Sequence, residues 1–368
     1  MTITLSPWVT IGFNLVIGLA LGNMLYRGDF CIAGILRDQF LFQDRTLLRP
    51  LLLAVGLTLS LFTLARYIGL VSATPPPTFG LPSIASMTGG WLFGIGMVLA
   101  GGCVISTLYK MGSGNLSHGV AFVGIVTGSV FYAELQPLFK ELLQTGGASE
   151  NKLLIQHWPL TAETINIIAI LLTFFFALRW YRGGLLQIIA AANGYLQPWK
   201  IAIGLALLNL SAYLINGWPL GISTAYLRIG LWLESQLFSA HVLHLEQLLQ
   251  QTGLTTTSPS GTMSDPTLLT ELPFMAGILG GALLTSLFLK EFRVYGLPPW
   301  RQGLTAFTGG ILIALGARLA NGCNIKFLLG GLPLLSIEAL LFVMSMLLGA
   351  WHGAQILPLV ITQTEDSG

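Results

Sequence analysis

Gly89-Gly90-Trp91-Leu92-Phe93-Gly94-Ile95-Gly96-Met97-Val98-Leu99-Ala100-Gly101-Gly102-Cys103 returns near the end of the chain. The second copy reads Gly309-Gly310-Ile311-Leu312-Ile313-Ala314-Leu315-Gly316-Ala317-Arg318-Leu319-Ala320-Asn321-Gly322-Cys323. At a constant offset of 220 residues, the Gly-Gly pair, Gly96 and Gly316, Ala100 and Ala320, Gly102 and Gly322, and Cys103 and Cys323 coincide. The chain has only three cysteines. Two of them in equivalent places mark a duplicated unit, since small residues in apolar helices coincide by chance far more easily than cysteines do.

Composition gives the setting. Of the 368 residues, 54% are hydrophobic and 9% charged, and the mean hydropathy is +0.76. Soluble domains carry about 25% charged residues, so this surface belongs largely in lipid. The 44 glycines suit close helix packing in a membrane, where small residues let backbones approach. A net charge of +2 argues against a nucleic-acid partner. The cysteines form neither a disulfide framework nor a Cys-x-x-Cys metal or redox motif, and no metal or cofactor is expected. Met1–Pro7 has no basic leader region, so the first apolar run reads as a retained helix rather than a signal peptide.

A spanning helix needs roughly 20 predominantly apolar residues. Nine stretches qualify: Trp8–Tyr26, Leu47–Leu70, Ile84–Gly102, Gly119–Leu135, Ile165–Tyr181, Ile201–Ile215, Leu268–Leu289, Gln302–Ala320 and Ser336–Ile361. The expected fold is all-α and polytopic, with about nine transmembrane helices and short re-entrant helices. Residues 217–267 mix Arg228, Glu234, His241, His244 and Glu246 with apolar residues and then turn Thr/Ser/Pro-rich. They read as short peripheral or partly inserted helices plus an aqueous loop. The His241/His244 pair with its carboxylates resembles a metal cluster, but an amphipathic peripheral helix accounts for it better.

Basic residues in short loops set orientation. Arg27, Arg37, Arg45 and Arg49, then Arg179, Arg182 and Lys200, then Lys290, Arg293 and Arg301 all fall on the cytoplasmic side if residues 217–267 stay outside. The N-terminus is then external and the C-terminus internal. The two Cys-ended spans run in opposite directions, as do Gly18–Asn23 and its echo Gly204–Asn209. The chain therefore divides into a first membrane repeat (1–135), an external loop and linking helix (136–199), a second, inverted repeat (200–361, with the insert 217–267) and a tail (362–368). Inverted repeats are a transporter architecture, with the substrate path at their interface.

Gly89 to Gly102 makes about 20 Å of helix at about 1.5 Å per residue, short of a hydrocarbon core roughly 30 Å thick. Gly101-Gly102 and Asn321-Gly322 then break the helices inside the membrane, where irregular backbone must be buried or line a cavity. Val104–Met111 and Asn324–Leu329 read as second short helices. Helix starts beginning at Cys103 and Cys323 aim N–H groups at the breaks, which suits an anion and favours thiolate character. The alternative is an open helix joint without a ligand. Cys31, in Arg27-Gly28-Asp29-Phe30-Cys31-Ile32-Ala33-Gly34, has no twin. In isolation it reads as a small buried hydrophobe, but its place at the end of a repeat helix raises a functional reading. Intramembrane charges mark function by default. Lys110, Arg318 and Lys326 attract an anion, snorkel, or pair with a carboxylate, and the sequence leaves all three open.

These motifs, with Gly112-x-Gly114-Asn115-Leu116, resemble the YeeE/YedE membrane proteins, and among them the YeeE-type thiosulfate transporters. The resemblance implies thiosulfate uptake across the bacterial inner membrane and an hourglass-like fold. It also implies that Cys103 and Cys323 contact the ion at the constriction, that Cys31 receives it on the cytoplasmic side, and that thiols relay it by hydrogen bonds without covalent chemistry. A TusA-like sulfur-carrier protein is the cytoplasmic partner it suggests. Asn324-Ile325-Lys326-Phe327 departs from the small polar residues and Gly common after the last cysteine of the family, which leaves selenium compounds and other sulfur oxyanions open as cargo. An enzyme using the cysteines as nucleophiles, such as a membrane sulfurtransferase, is the competing class, and a purely structural subunit is a third. No Gly-x-x-x-x-Gly-Lys-[Ser/Thr] motif is present, so the chain is not itself expected to be an ATPase.

Overall fold

The computed structural model describes residues 6–71, 79, 82–144, 159–188, 194–236, 238–242 and 267–362. Its named helices are α1 (Pro7–Gly28), α2 (Ile32–Phe42), α3 (Leu48–Tyr67), α4 (Ile84–Leu99), α5 (Val104–Gly112) and α6 (Leu116–Gln144). They continue as α7 (Pro159–Arg182), α8 (Pro198–Asn216), α9 (Ser223–Ser235), α10 (Leu272–Phe288), α11 (Trp300–Leu319) and α12 (Ile337–Thr362). π-Helical segments cover Thr267–Glu271, which opens α10, and Lys326–Gly331. Among the described residues no strand forms, as a bilayer demands of an open chain whose backbone polar groups find no water. The protein is an all-α, polytopic membrane protein.

Among the described residues, eight segments are long and apolar enough to span a membrane. The ninth expected stretch, Gln302–Ala320, forms helix α11, whose 20 residues carry Arg301, Gln302 and Arg318, and it is not among those eight. Helix α6 runs on to Gln144, into a stretch expected to be a polar loop. Residues 217–267, expected as short peripheral or partly inserted helices, begin with α9, whose Ala225, Tyr226, Leu227, Gly230 and Leu231 are buried. His244 and Glu246 lie outside the described residues.

Glycine faces place the helices. A Cβ on Gly89 would come 2.7 Å from the Gly316 carbonyl oxygen, and one on Gly316 would come 2.5 Å from that of Gly89. One turn or two along, Gly96 and Gly309 meet in the same reciprocal way. Helices α4 and α11 therefore cross antiparallel with their backbones touching. The same logic seats α1 on α10, through Gly18 and Gly22 against Phe274, Gly277 and Ile278. Helix α12 lies along α4 and α6 along α11. By contrast α7 touches the bundle mainly through α3, and only 6% of its span is buried. It offers Ile167, Leu171, Phe174 and Phe175 outward, as a lipid-facing helix does.

The basic loops collect at one end. Arg27 Nε donates to the Gly194 carbonyl at 2.6 Å, and Arg49 reaches the Leu185 carbonyl at 3.5 Å. Tyr26 donates to Glu291 at 3.0 Å, and the Tyr295 N–H donates to the Gly114 carbonyl at 3.1 Å. The far end holds the reciprocal amide pair of Asn14 and Asn216.

Candidate functional site: three capping cysteines

Each cysteine stands immediately before a helix with its sulfur turned back on the first turn. Cys31 precedes α2, and its Sγ accepts from the Gly34 N–H at 3.4 Å. Cys103 precedes α5 in a reciprocal capping arrangement. The Cys103 N–H donates to Ser106 Oγ at 2.6 Å, and that hydroxyl lies 3.4 Å from the sulfur. Cys323 precedes the turn formed by Asn324, Ile325 and the π segment, and its sulfur takes the backbone N–H groups of Ile325 and Lys326. The first N–H groups of a helix have no partner within it. A thiol there meets a partial positive charge.

Backbone geometry makes the two central caps alike. Gly101 has φ +69° and Asn321 φ +54°, so equivalent residues turn left-handed two places before each cysteine. Glycine enters that region without strain, and asparagine is the residue that most readily replaces it. The Gly102 and Gly322 positions are crowded: a Cβ would meet Ser106 Oγ at 2.8 Å in one copy and the Lys326 and Phe327 side chains at 2.8 Å in the other.

The fold brings the three thiols into one neighbourhood. Cys103 interacts electrostatically with both Cys31 and Cys323. Tyr109 neighbours Cys31 and Cys103, and Tyr226 neighbours Cys103 and Cys323. All three cysteines are buried and free. A cavity of about 10 Å³, lined in part by Cys103, Ser106, Phe30, Leu205 and Ile325, lies at this junction. That is room for no more than one water.

Of the three candidate cations, Arg318 is 5% exposed. It donates to the Ser223 carbonyl at 2.6 Å and lies beside Glu271, whose carboxylate accepts the Thr224 and Ala225 N–H groups at the start of α9. Lys326 donates to the Asn321 carbonyl, lies over the Phe79 and Phe327 rings and has the Glu338 carboxyl and the Cys323 thiol as neighbours. Lys110 sits half-buried at the end of α5, next to Tyr109, toward the basic end of the bundle.

A family model described as "Sulphur transport" matches residues 27–352, a range holding all three caps and both breaks. The chain belongs to the sulphur-transport family. It is similar to the thiosulfate transporter TsuA of Spirochaeta thermophila, at 28% identity over 94% of this chain and 98% of that protein. It is similar to the thiosulfate transporter TsuA of Escherichia coli, at 24% identity over 92% of each. A shorter match, 34% identical over 22% of this chain and 20% of the relative, joins it to the probable transporter YedE of Escherichia coli.

In this member of the sulphur-transport family, several site residues carried no usable signal in the sequence. Tyr226 reaches the junction from α9, a helix whose scattered charges read as peripheral. Asn324 is fully buried, and neither polar atom of its carboxamide has a hydrogen-bond partner. His118, on α6, packs its ring against Gly101 and Gly102, with Nδ1 buried and unpartnered. Only Ser106 was legible: a hydroxyl three residues after a helix-starting residue is a capping signal.

Proposed function

We propose that the protein takes up thiosulfate, or a closely similar sulfur-containing anion, across the bacterial inner membrane. The observation that carries this reading is the convergence of the three buried cysteines, each at the start of a helix, on one neighbourhood between the two breaks. The relatives named as thiosulfate transporters cover nearly the whole chain, which supports the cargo. The reciprocal Gly89–Gly316 and Gly96–Gly309 crossings support an inverted repeat about the α4–α11 contact.

On this reading the ion passes Cys323 and Cys103 at the centre and then Cys31, held by hydrogen bonds and never bonded covalently. Thiols are weak donors and soft contacts, matched to the terminal sulfur of thiosulfate, while the capping N–H groups serve its oxygens. Several weak sites in series let the ion leave as readily as it enters, as conduction requires. Gly101, Gly102, Asn321 and Gly322 shape the path. Lys110 draws the ion toward the basic end, and Arg318 and Lys326 add positive charge at Cys323 while bracing the local structure. The basic end is cytoplasmic by the rule that short basic loops stay inside, and it is the face that receives a TusA-like sulfur carrier.

The test is uptake of labelled thiosulfate into proteoliposomes by wild type and by Cys31→Ala, Cys103→Ala and Cys323→Ala, with sulfate as competitor. Loss of uptake in the variants and weak competition by sulfate are expected. Undiminished uptake by Cys103→Ala and Cys323→Ala removes the relay, and a trapped persulfide on either thiol moves the protein to the sulfurtransferase class.

A further inference from the structure

The centre of this protein holds a carboxamide whose polar neighbour is a thiol, a weak acceptor. Asn324 follows Cys323 directly, is 0% exposed, and has neither Nδ2 nor Oδ1 in a hydrogen bond. Its side chain makes a polar contact with the sulfur of Cys103, the cap of the other break, and a sulfur is too weak an acceptor to satisfy a buried amide. It therefore stands between the two thiols rather than beside one. The great majority of buried polar side-chain atoms in folded proteins are paired, and an unpaired one costs the desolvation of the group with no return. Leucine has nearly the same shape and would fill the space without that loss. A buried amide kept here is explained by a partner that comes and goes.

Resting on the transport reading above, the geometry points to Asn324 as a substrate-contacting, specificity-determining residue. It donates from Nδ2 to an oxygen of the ion while the Cys103 thiol meets the ion's sulfur. An amide offers two N–H donors and no charge. It rewards an oxyanion yet holds it less tightly than the ammonium of a lysine would, so the ion is released onward. A site with a neutral N–H donor on one side and a thiol on the other reads both ends of its cargo. The substrate class is a tetrahedral oxyanion carrying one terminal chalcogen, which takes in thiosulfate and selenosulfate alike. Sulfate satisfies the amide alone. Thiocyanate, which has no oxygen, satisfies the thiol alone.

The experiment compares wild type, Asn324→Leu and Asn324→Thr in proteoliposomes, with labelled thiosulfate as the probe and thermal unfolding of each purified protein alongside. Asn324→Leu should raise KM for thiosulfate by about tenfold or more, the worth of one hydrogen bond to a charged group, with an unfolding temperature equal to or above wild type. Asn324→Thr, which keeps a donor, should recover part of the loss. If Asn324→Leu does not give monodisperse protein, Asn324→Asp, of the same size but without the donors, takes its place, and its uptake should fall. Wild-type uptake with variants that match it in KM overturns the assignment of Asn324 alone. A lowered unfolding temperature with unchanged KM also overturns it, by making the amide structural. Absence of uptake by wild type overturns the transport reading and this inference together.

Discussion

Tyr226 Oη donates a 2.6 Å hydrogen bond to the carbonyl of Val104, the residue after the Cys103 cap. Helix α9, which reads as a surface element in the sequence, is thereby bonded to the first turn of α5. Tyr226 is fully buried and neighbours both central thiols. Tyr226→Phe should cost about 1 kcal/mol of stability, the usual net worth of such a bond, and should slow thiosulfate uptake several-fold by loosening the turn that aims Cys103. Thermal unfolding and proteoliposome uptake measure the two effects separately. Full uptake by a destabilised Tyr226→Phe would show that the tyrosine does not position the cap.

The α4–α11 crossing predicts a pair of opposite signs. Gly316→Ala puts a methyl group against the Gly89 backbone and should destabilise by about 1–3 kcal/mol, as overpacking does. Gly12, in the exposed first half of α1, has nothing within 4 Å of its Cβ position. Gly12→Ala should be neutral or stabilise by up to about 1 kcal/mol, since glycine is the poorer helix former. Thermal unfolding in one detergent compares both with wild type, and equal shifts would remove the backbone contact as the cause.

Arg318 and Glu271 give a double-mutant cycle. Arg318→Met removes both the bond to the Ser223 carbonyl and the positive charge near Glu271, and should cost about 1–3 kcal/mol. Glu271→Gln in the same chain should return much of that stability. The cycle also separates bracing from anion attraction. If Arg318 serves only the α9 start, the double variant regains uptake with stability, and if its charge draws the ion, uptake stays low.

His241 and Glu134 predict a pH dependence at the end of the bundle away from the basic loops. His241 Nε2 lies 2.6 Å from Glu134 Oε1 and 3.7 Å from Glu234 Oε1. The hydrogen bond and charge of Glu134 raise the His241 pKa above its usual 6.5. A raised pKa in the folded state means the charged histidine stabilises the fold, fully so below the unfolded value. That contribution fades as pH rises through the folded value. Wild type should therefore melt higher than His241→Ala below about pH 6.5, with the gap closing as pH rises through the raised folded value. A gap constant over that range would mean the pair contributes packing and no charge.

Much of this architecture was legible because lipid leaves a chain few choices. Apolar runs of spanning length, the Gly-Gly pairs that let α4 and α11 touch, and the Gly101-Gly102 and Asn321-Gly322 breaks each have one reading at membrane depth. What the sequence concealed depends on docking. Helix α9 is placed by Glu271 holding its first N–H groups, a contact spanning 47 residues that no local pattern announces. Asn324 reads as an ordinary polar residue after a cysteine until burial removes its water. His118 reads as a residue near a span's entrance until α6 lays it against Gly102. Lys326 and Arg318 were bare charges in the sequence because their partners, the Asn321 and Ser223 carbonyls, are set by the folded turns.

The cavity of about 10 Å³ beside Cys103 bears on the cell as much as on the cargo. A membrane that stores a proton gradient tolerates no standing leak, and the space beside Cys103 holds no more than about one water. On the transport reading, the ion passes this point only when the packing around Phe30, Leu205 and Ile325 parts. Throughput is then governed by how often that seal opens rather than by how fast an ion diffuses, so uptake should saturate with substrate and rise steeply with temperature.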